Sequence, residues 1–249
     1  MTAISVTAFT DTGLVRSRNE DALLVGGWLC QSASGRTVVM TMLADPPFVA
    51  AVADGMGGHA GGDLASRVAL GVIADVSPSW QSPDDVVKGL QEANDRVFQV
   101  GQNPDLRGMG TTVAGICVLD SHVVAFNVGD SRVYSLNSGF LQQVSEDDAV
   151  LDGSGRPTST ITQALGQRLP VEPHITLHPR DGTDFLLCSD GVSGMLTAAG
   201  LRAAAMQPGA AEIAEAIITA TRQAGAEDNF SFALLSVSPS PSQEPHHDR

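Results

Sequence analysis

Residues 48–63 read Phe48-Val-Ala-Ala-Val-Ala-Asp54-Gly-Met-Gly-Gly-His-Ala-Gly-Gly-Asp63. Six apolar residues form a strand signal that stops abruptly at an acid followed by glycine. Five of the eight residues from Gly55 to Gly62 are glycine. Such a loop lets backbone carbonyls and amides approach a ligand closely. It lacks the Gly-Lys-Ser/Thr ending of a nucleotide P-loop. Leu64 to Val76 follows at helical spacing.

The same design recurs. Phe185-Leu-Leu-Cys-Ser runs into Asp190-Gly191, Glu227-Asp228-Asn229 stands just before a final strand, and Asn19-Glu20-Asp21 stands before Ala22-Leu-Leu. Carboxylates at the rim of a β core suit hard divalent cations such as Mg²⁺ and Mn²⁺, whereas Cys and His are not clustered for zinc. Asp-Gly is also a turn dipeptide. Asp152-Gly153 and Asp181-Gly182, with no apolar run leading directly into them, read as turns. Spacing alone leaves turn and metal ligand open as alternatives at the other sites.

The rest of the chain frames these punctuation marks. Strand signals cover Ser5 to Phe9, Ala22 to Leu24, Thr37 to Leu43, Thr111 to Leu119, Val123 to Val128, Arg132 to Leu136, Leu141 to Val144, Ile175 to Leu177, Phe185 to Cys188 and Phe230 to Val237. Ser82-Pro83-Asp84-Asp85 opens a second helix with an N-cap, proline at the first helical position and acids in the first turn. Asn137-Ser138-Gly139 reads as a hairpin turn. Residues 145–168 lose periodicity and read as an exposed loop. Two more helices are expected near 197–206 and 209–224, with Gly225 as a C-terminal stop. One domain over residues 1–237 and a disordered tail over 238–249 are expected, because Ser238 onward lacks any apolar anchor.

Composition narrows the function class. Of the 249 residues, 43% are hydrophobic and 17% charged, which is globular composition. A net charge of −14 argues against a nucleic-acid partner. It admits an anionic substrate only where bound cations reverse the local sign. Cys30, Cys117 and Cys188 are scattered and odd in number, which fits reduced thiols in a cytoplasm. No secretory h-region and no bilayer-length apolar run is visible, so a soluble, cytoplasmic monomer without membrane contact is expected.

Taken in order, Gly13-Leu-Val-Arg16, Asn19-Glu-Asp21, Asp54-Gly-Met-Gly-Gly-His59, Gly108-Met-Gly-Thr-Thr112, Val128-Gly-Asp-Ser-Arg132, Cys188-Ser-Asp-Gly191 and Asp228-Asn229 resemble the motifs of the PPM (type 2C) metal-dependent Ser/Thr protein phosphatases, in the bacterial style. The resemblance covers residues 4–237. The resemblance implies an α+β fold, an α-β-β-α sandwich of two antiparallel sheets flanked by helices. It implies two Mn²⁺ or Mg²⁺ ions, with room for a third. Asp54 would bridge both ions, Gly55 would ligate through its carbonyl, and Asp190 and Asp228 would hold one ion. Glu20 and Asp21 would hold metal-bound waters, Arg16 would grip the phosphate, and Asp130 would serve the third ion or simply form a turn. Two dications about 3.5–4 Å apart can turn a bridging water into hydroxide at neutral pH. The implied partners are phosphoserine and phosphothreonine proteins, a Ser/Thr kinase or its substrates among them.

The sequence departs from the family where Met56 follows Asp54-Gly55, the place of a histidine in eukaryotic members. His59 lies three residues on, and Arg107 stands where those members place a third-metal aspartate. The loop from Glu146 to Gly166 looks shorter than the family's flap, and Gln31 to Pro47 looks like an extra hairpin. Two rival readings remain. One is a non-catalytic phosphoprotein-binding scaffold. The other is a thiolate phosphatase using the Cys30-x₅-Arg36 spacing, against which the β-branched run after Arg36 predicts a strand where that chemistry needs a helix N-terminus.

Overall fold

The computed structural model describes residues 1–31, 35–57, 61–137, 139–153, 155 and 157–239. In chain order the strands are β1 (Thr2–Asp11), β2 (Asp21–Val25), β3 (Trp28–Cys30), β4 (Val38–Ala44), β5 (Phe48–Met56), β6 (Gly110–Thr111), β7 (Val113–Val118) and β8 (His122–Val128). There follow β9 (Arg132–Asn137), β10 (Phe140–Gln143), β11 (Ala149–Leu151), β12 (Pro157–Ile161), β13 (His174–Pro179), β14 (Asp184–Cys188) and β15 (Phe230–Val237). The helices are α1 (Gly62–Val76), α2 (Pro83–Val100), α3 (Asp190–Ser193), α4 (Ala198–Ala205) and α5 (Ala210–Gln223).

The two-residue period of β2 and β5 assigns their side chains to two different cores. Ala22, Leu24, Val49, Ala51 and Ala53 turn toward α1 and α2. Leu23, Val25, Phe48, Ala50 and Val52 turn the other way, into a layer shared with Ile4, Val6, Phe185, Leu187, Ala233 and Leu235. A strand covered on both faces reads as an unbroken apolar run, which is why Phe48 to Ala53 shows no alternation. The first sheet has the order β13-β8-β7-β5-β2-β3, with β6 beside β5, and the second β10-β9-β14-β15-β1-β4. Their pairings are antiparallel. Beyond the second sheet, α4 and α5 pack on Phe9, Leu186, Phe230, Phe232 and Leu234. The α-β-β-α sandwich expected from the sequence is the fold.

α1 approaches its sheet through small buried residues, Ala65, Ser66 and Ala69. α2 starts as expected, with the Ser82 hydroxyl accepting from the Asp85 amide at 3.3 Å and Pro83 leading the first turn. Trp80 lies flat enough on Gly89 that an added Cβ would stand 2.4 Å from the indole. Among the described residues no helix is long and apolar enough to cross a membrane.

Two expectations are corrected. Residues 145–168 contain the short ladder of β11 and β12 rather than only a loop. Pro157-Thr-Ser-Thr-Ile161 carries no apolar alternation that could have announced a strand. The segment 31–47 is not a hairpin, because β3 borders the first sheet and β4 the second. It carries the chain from one layer to the other. β5 also runs two residues past Asp54 to Met56, where it pairs with β6. Residues 240–249, most of the expected tail, lie outside the described residues.

Candidate metal centre

Strand register brings the acids together. Asp21 on β2 and Asp54 on β5 are direct partners across the first sheet, so their side chains share a face at one end of the sandwich. From the second sheet, β14 ends at Cys188, Ser189 links it to α3, which begins at Asp190, and Asp228 and Asn229 immediately precede β15. Gly191 packs so closely on Asn229 that an added Cβ would lie 1.9 Å from its carbonyl oxygen.

The environment of these carboxylates is electrostatically unfavourable as it stands. Asp21 is fully buried, and burial first, then the charges of Asp190 and Asp228, push it up to about 7 against the pull of hydrogen bonds from Ser231 and Ser189. Burial, the Asp21 and Asp190 charges, a hydrogen bond to Asp190 and the charge of Asp228 hold Asp54 well above the usual carboxylate range. Burial raises Glu20 too. One carboxylate oxygen each of Asp21, Asp130 and Asp190 (Oδ1) is buried without a hydrogen-bond partner. Buried unpaired carboxylate oxygens are costly unless a cation or proton meets them.

Arg16 Nη2 donates to Asp228 Oδ2 at 2.7 Å, and that bond raises the guanidinium pKa further. Asp228 Oδ1 accepts from the Asn229 amide at 2.8 Å. Asn229 in turn clamps the segment that carries Arg16 and Glu20. Its Nδ2 donates to the carbonyls of Thr12 and Arg18, both at 2.8 Å, and its Oδ1 accepts from the Glu20 amide at 2.8 Å. The Gly55 amide donates to the Glu20 carbonyl at 3.2 Å. A Cβ on Gly55 would stand 2.0 Å from the Gly62 carbonyl oxygen, so no side chain fits there. Thr112 fixes the Asp54 backbone, its hydroxyl accepting from the Asp54 amide at 3.1 Å and its amide donating back to the Asp54 carbonyl at 2.9 Å.

These groups line a cleft of about 800 Å³ together with Ser17, Met56, Gly57, Ser159 and Ile161. Of the residues singled out in the sequence, Arg16, Glu20, Asp54, Gly55, Asp190 and Asp228 all reach it. Asp21 lies beneath it, with its Oδ2 accepting from Ser189 Oγ at 2.8 Å. Asp130 is absent from the cleft wall but lies near enough to Asp190 that burial and that charge push it up to about 6. Cys30 and Arg36 are also absent from it, and no helix begins at Cys30. His59 lies outside the described residues. Sequence reasoning missed the work of Asn229, Thr112, Ser189 and Ser231, whose partners stand tens to hundreds of positions away.

An all-oxygen donor set, orphaned carboxylate oxygens and a backbone carbonyl at Gly55 fit hard divalent cations. Among the described residues no three His, Cys, Asp or Glu side chains meet closely enough to hold an ion as they stand. The Arg16 guanidinium occupies one oxygen of Asp228, so an ion at Asp228 would share that carboxylate with Arg16 or displace it.

The sequence model of the family described as protein phosphatase 2C matches residues 24–228. The chain belongs to the protein phosphatase 2C family. Among curated relatives, the serine/threonine protein phosphatase PstP of Mycobacterium tuberculosis (strain CDC 1551 / Oshkosh) is 32% identical over 247 residues, covering 92% of this chain and 44% of that protein. The serine/threonine phosphatase stp of Listeria welshimeri is 31% identical, covering 91% of this chain and 93% of that one. This chain therefore spans less than half of PstP and nearly all of the Listeria phosphatase. Among solved structures, the catalytic domain of PstP in complex with two manganese ions superposes with a TM-score of 0.76 at 31% identity, covering 96% of this chain and 100% of that one.

Proposed function

We propose that residues 1–237 form a metal-dependent phosphatase domain that hydrolyses phosphoserine and phosphothreonine in proteins. The observation that carries this reading is the convergence of Asp54, Asp190 and Asp228 from the two layers at one cleft that also holds Arg16, with Asp21, the cross-strand partner of Asp54, beneath it. Asp54, the Gly55 carbonyl, Asp190 and Asp228 would hold two divalent cations, manganese or magnesium. Glu20 and Asp21 would orient water beside them, with Asp130 serving a third. When bound, such cations activate water near neutral pH and offset the charge of a phosphomonoester.

The chain's own residues do the rest. Arg16, released from Asp228, presents a planar fork to the phosphate oxygens. Asn229 keeps that arm in place through its three hydrogen bonds. Ser189 steadies Asp21 from below. The two manganese ions named for the PstP structure support the choice of metal. The names of the relatives support protein phosphoserine and phosphothreonine as substrates, and hence a role opposing a Ser/Thr kinase. The three cysteines are free thiols, and burial pushes Cys117 and Cys188 up to about 12, so neither is a nucleophile at neutral pH. No observation favours the scaffold or the thiolate reading.

The test is phosphate release from a phosphothreonine peptide in Mn²⁺ and in excess EDTA, for wild type and Asp54→Asn. Turnover that needs both the metal and Asp54 is expected. Turnover indifferent to EDTA would overturn the reading, and a folded, metal-loaded protein without turnover would return weight to the scaffold.

A further inference from the structure

The outer strand of the second sheet, β4, carries none of the devices that blunt an exposed sheet edge. Its sequence, Val38-Val-Met-Thr-Met-Leu-Ala44, contains no charge, proline or glycine. Its register against β1 runs without a bulge from Thr2↔Ala44 to Ala8↔Val38. The other borders differ: β3 has three residues, β10 has four, and β13 carries His174 and His178 and closes on Pro179. Met40, Met42 and Ala44 of β4 pack toward the core between the sheets. Val39 and Leu43 point outward, 65% and 69% exposed. Among the described residues, the apolar cluster beneath α4 and α5 contains no β4 residue, so neither of these helices packs on this border. An unpaired strand of this kind is a template for another strand.

We propose that β4 pairs with β4 of a second copy of the chain, antiparallel and about a two-fold axis at Thr41, joining the two outer sheets into one. Two features select a second copy over a foreign peptide. The strand is nearly palindromic in chemistry about Thr41: Met40 opposes Met42, Val39 opposes Leu43, and Val38 opposes Ala44. Opposed residues share a face in an antiparallel pair, so the two exposed apolar side chains of each copy cover those of the other. The strand is also bracketed by opposite charges, Arg36 before it and Asp45 after it, both exposed, with Asp45 holding the Met1 ammonium at 3.3 Å. Antiparallel pairing lays Arg36 of one copy beside Asp45 of the other, where the guanidinium can join or replace the Met1 ammonium on that carboxylate. This departs from the monomer expected from the sequence. The seam is narrow and each copy carries a net charge of −14, so the association depends on concentration.

Sedimentation equilibrium of the full chain tests it. The wild-type mass is expected to rise toward twice the chain mass as concentration rises from low to high micromolar. Thr41→Lys brings two ammonium groups together at the axis and is expected to stay monomeric over that range, with unchanged melting and unchanged phosphate release. Leu177→Lys on β13 is expected to dimerise as wild type does. In a Cys30→Ser background, Thr41→Cys is expected to form a disulfide-linked dimer under mild oxidation. Val39→Cys alone is expected to fail, while a mixture of Val39→Cys and Leu43→Cys chains succeeds. The proposal is overturned by a monomeric mass throughout, by a dimer that survives Thr41→Lys, by masses that grow past a dimer, or by Val39→Cys linking as readily as Thr41→Cys.

Discussion

Like charges placed directly opposite on adjacent strands destabilise a sheet, yet Asp21 and Asp54 occupy such a pair. Both carboxyls have raised folded pKa values, Asp21 to about 7, and Asp130 nearby to about 6. A raised folded pKa means that the folded state holds protons that the unfolded chain has already released. The stability contribution is therefore present below about pH 4 and is lost as pH rises toward about 7. Denaturant titrations in EDTA are expected to show the wild type weakening between pH 5 and pH 8, and Asp21→Asn weakening less, by on the order of a few kcal/mol at pH 8. A wild-type profile flat over that range would refute the repulsion. Added Mn²⁺ should reverse the trend, because metal ligands must be deprotonated. Asp54→Asn is expected to lower turnover by a factor of ~10³ or more, a loss of roughly 4 kcal/mol of transition-state stabilisation, while the metal-free variant melts no lower than wild type. These carboxylates were legible in the sequence because each follows or precedes an apolar run at a glycine or asparagine. Their pairing across β2 and β5 was not, since register depends on residues some 30 positions apart.

At the scale of elements, two polar anchors hold the pieces that frame the cleft. Asn229 ties the segment from Thr12 to Glu20 to the start of β15. Asp148 ties the β11–β12 ladder to the body: its Oδ2 accepts from the Gly129 amide at 2.8 Å and from Gln163 Nε2 at 2.9 Å, and its Oδ1 pairs with His174 Nε2 at 2.9 Å. Beside it, Arg132 grips Asp147 at 2.7 Å and 3.0 Å. Leaving part-buried donors such as these unsatisfied costs up to about 1–3 kcal/mol each, the value for fully buried groups. Asp148→Ala is expected to lower global stability by about 2 kcal/mol. It should also speed amide exchange across 149–161 while sparing β1 and β15, because the ladder's own strands are short. If exchange rises evenly through the chain, Asp148 stabilises the fold at large and not this element. Neither anchor was legible beforehand. Asp147 and Asp148 sat in a stretch without periodicity, and the Asn229 clamp closes over separations of more than 200 residues. Elements with a strong local signal, such as the Ser82-capped α2 and the apolar β5, were found to within a few residues.

Across the whole molecule, the candidate ligands divide between the two layers: Asp54 and the Gly55 carbonyl lie on β5 of the first sheet, while Asp190 and Asp228 flank β14 and β15 of the second. The layers otherwise touch mainly through apolar side chains such as Leu23, Val52, Phe185 and Leu235. A cation held by both sets is a clip across the layer boundary, which only the folded state can assemble. Binding to the folded state alone stabilises by about 2.7 kcal/mol at a metal concentration of 100 times Kd. For a domain of this size each kcal/mol raises Tm by roughly 2–4 °C. Wild-type protein in saturating Mn²⁺ is therefore expected to melt roughly 5–10 °C above its value in EDTA, in a single transition. Asp54→Asn and Asp190→Asn, which remove a ligand from either side, should each lose most of that increment. A metal-induced rise that survives Asp190→Asn but not Asp54→Asn would mean that the ion is held by the first sheet alone. In that case the second sheet supplies substrate contacts, and Asp228 keeps its guanidinium partner in the working enzyme.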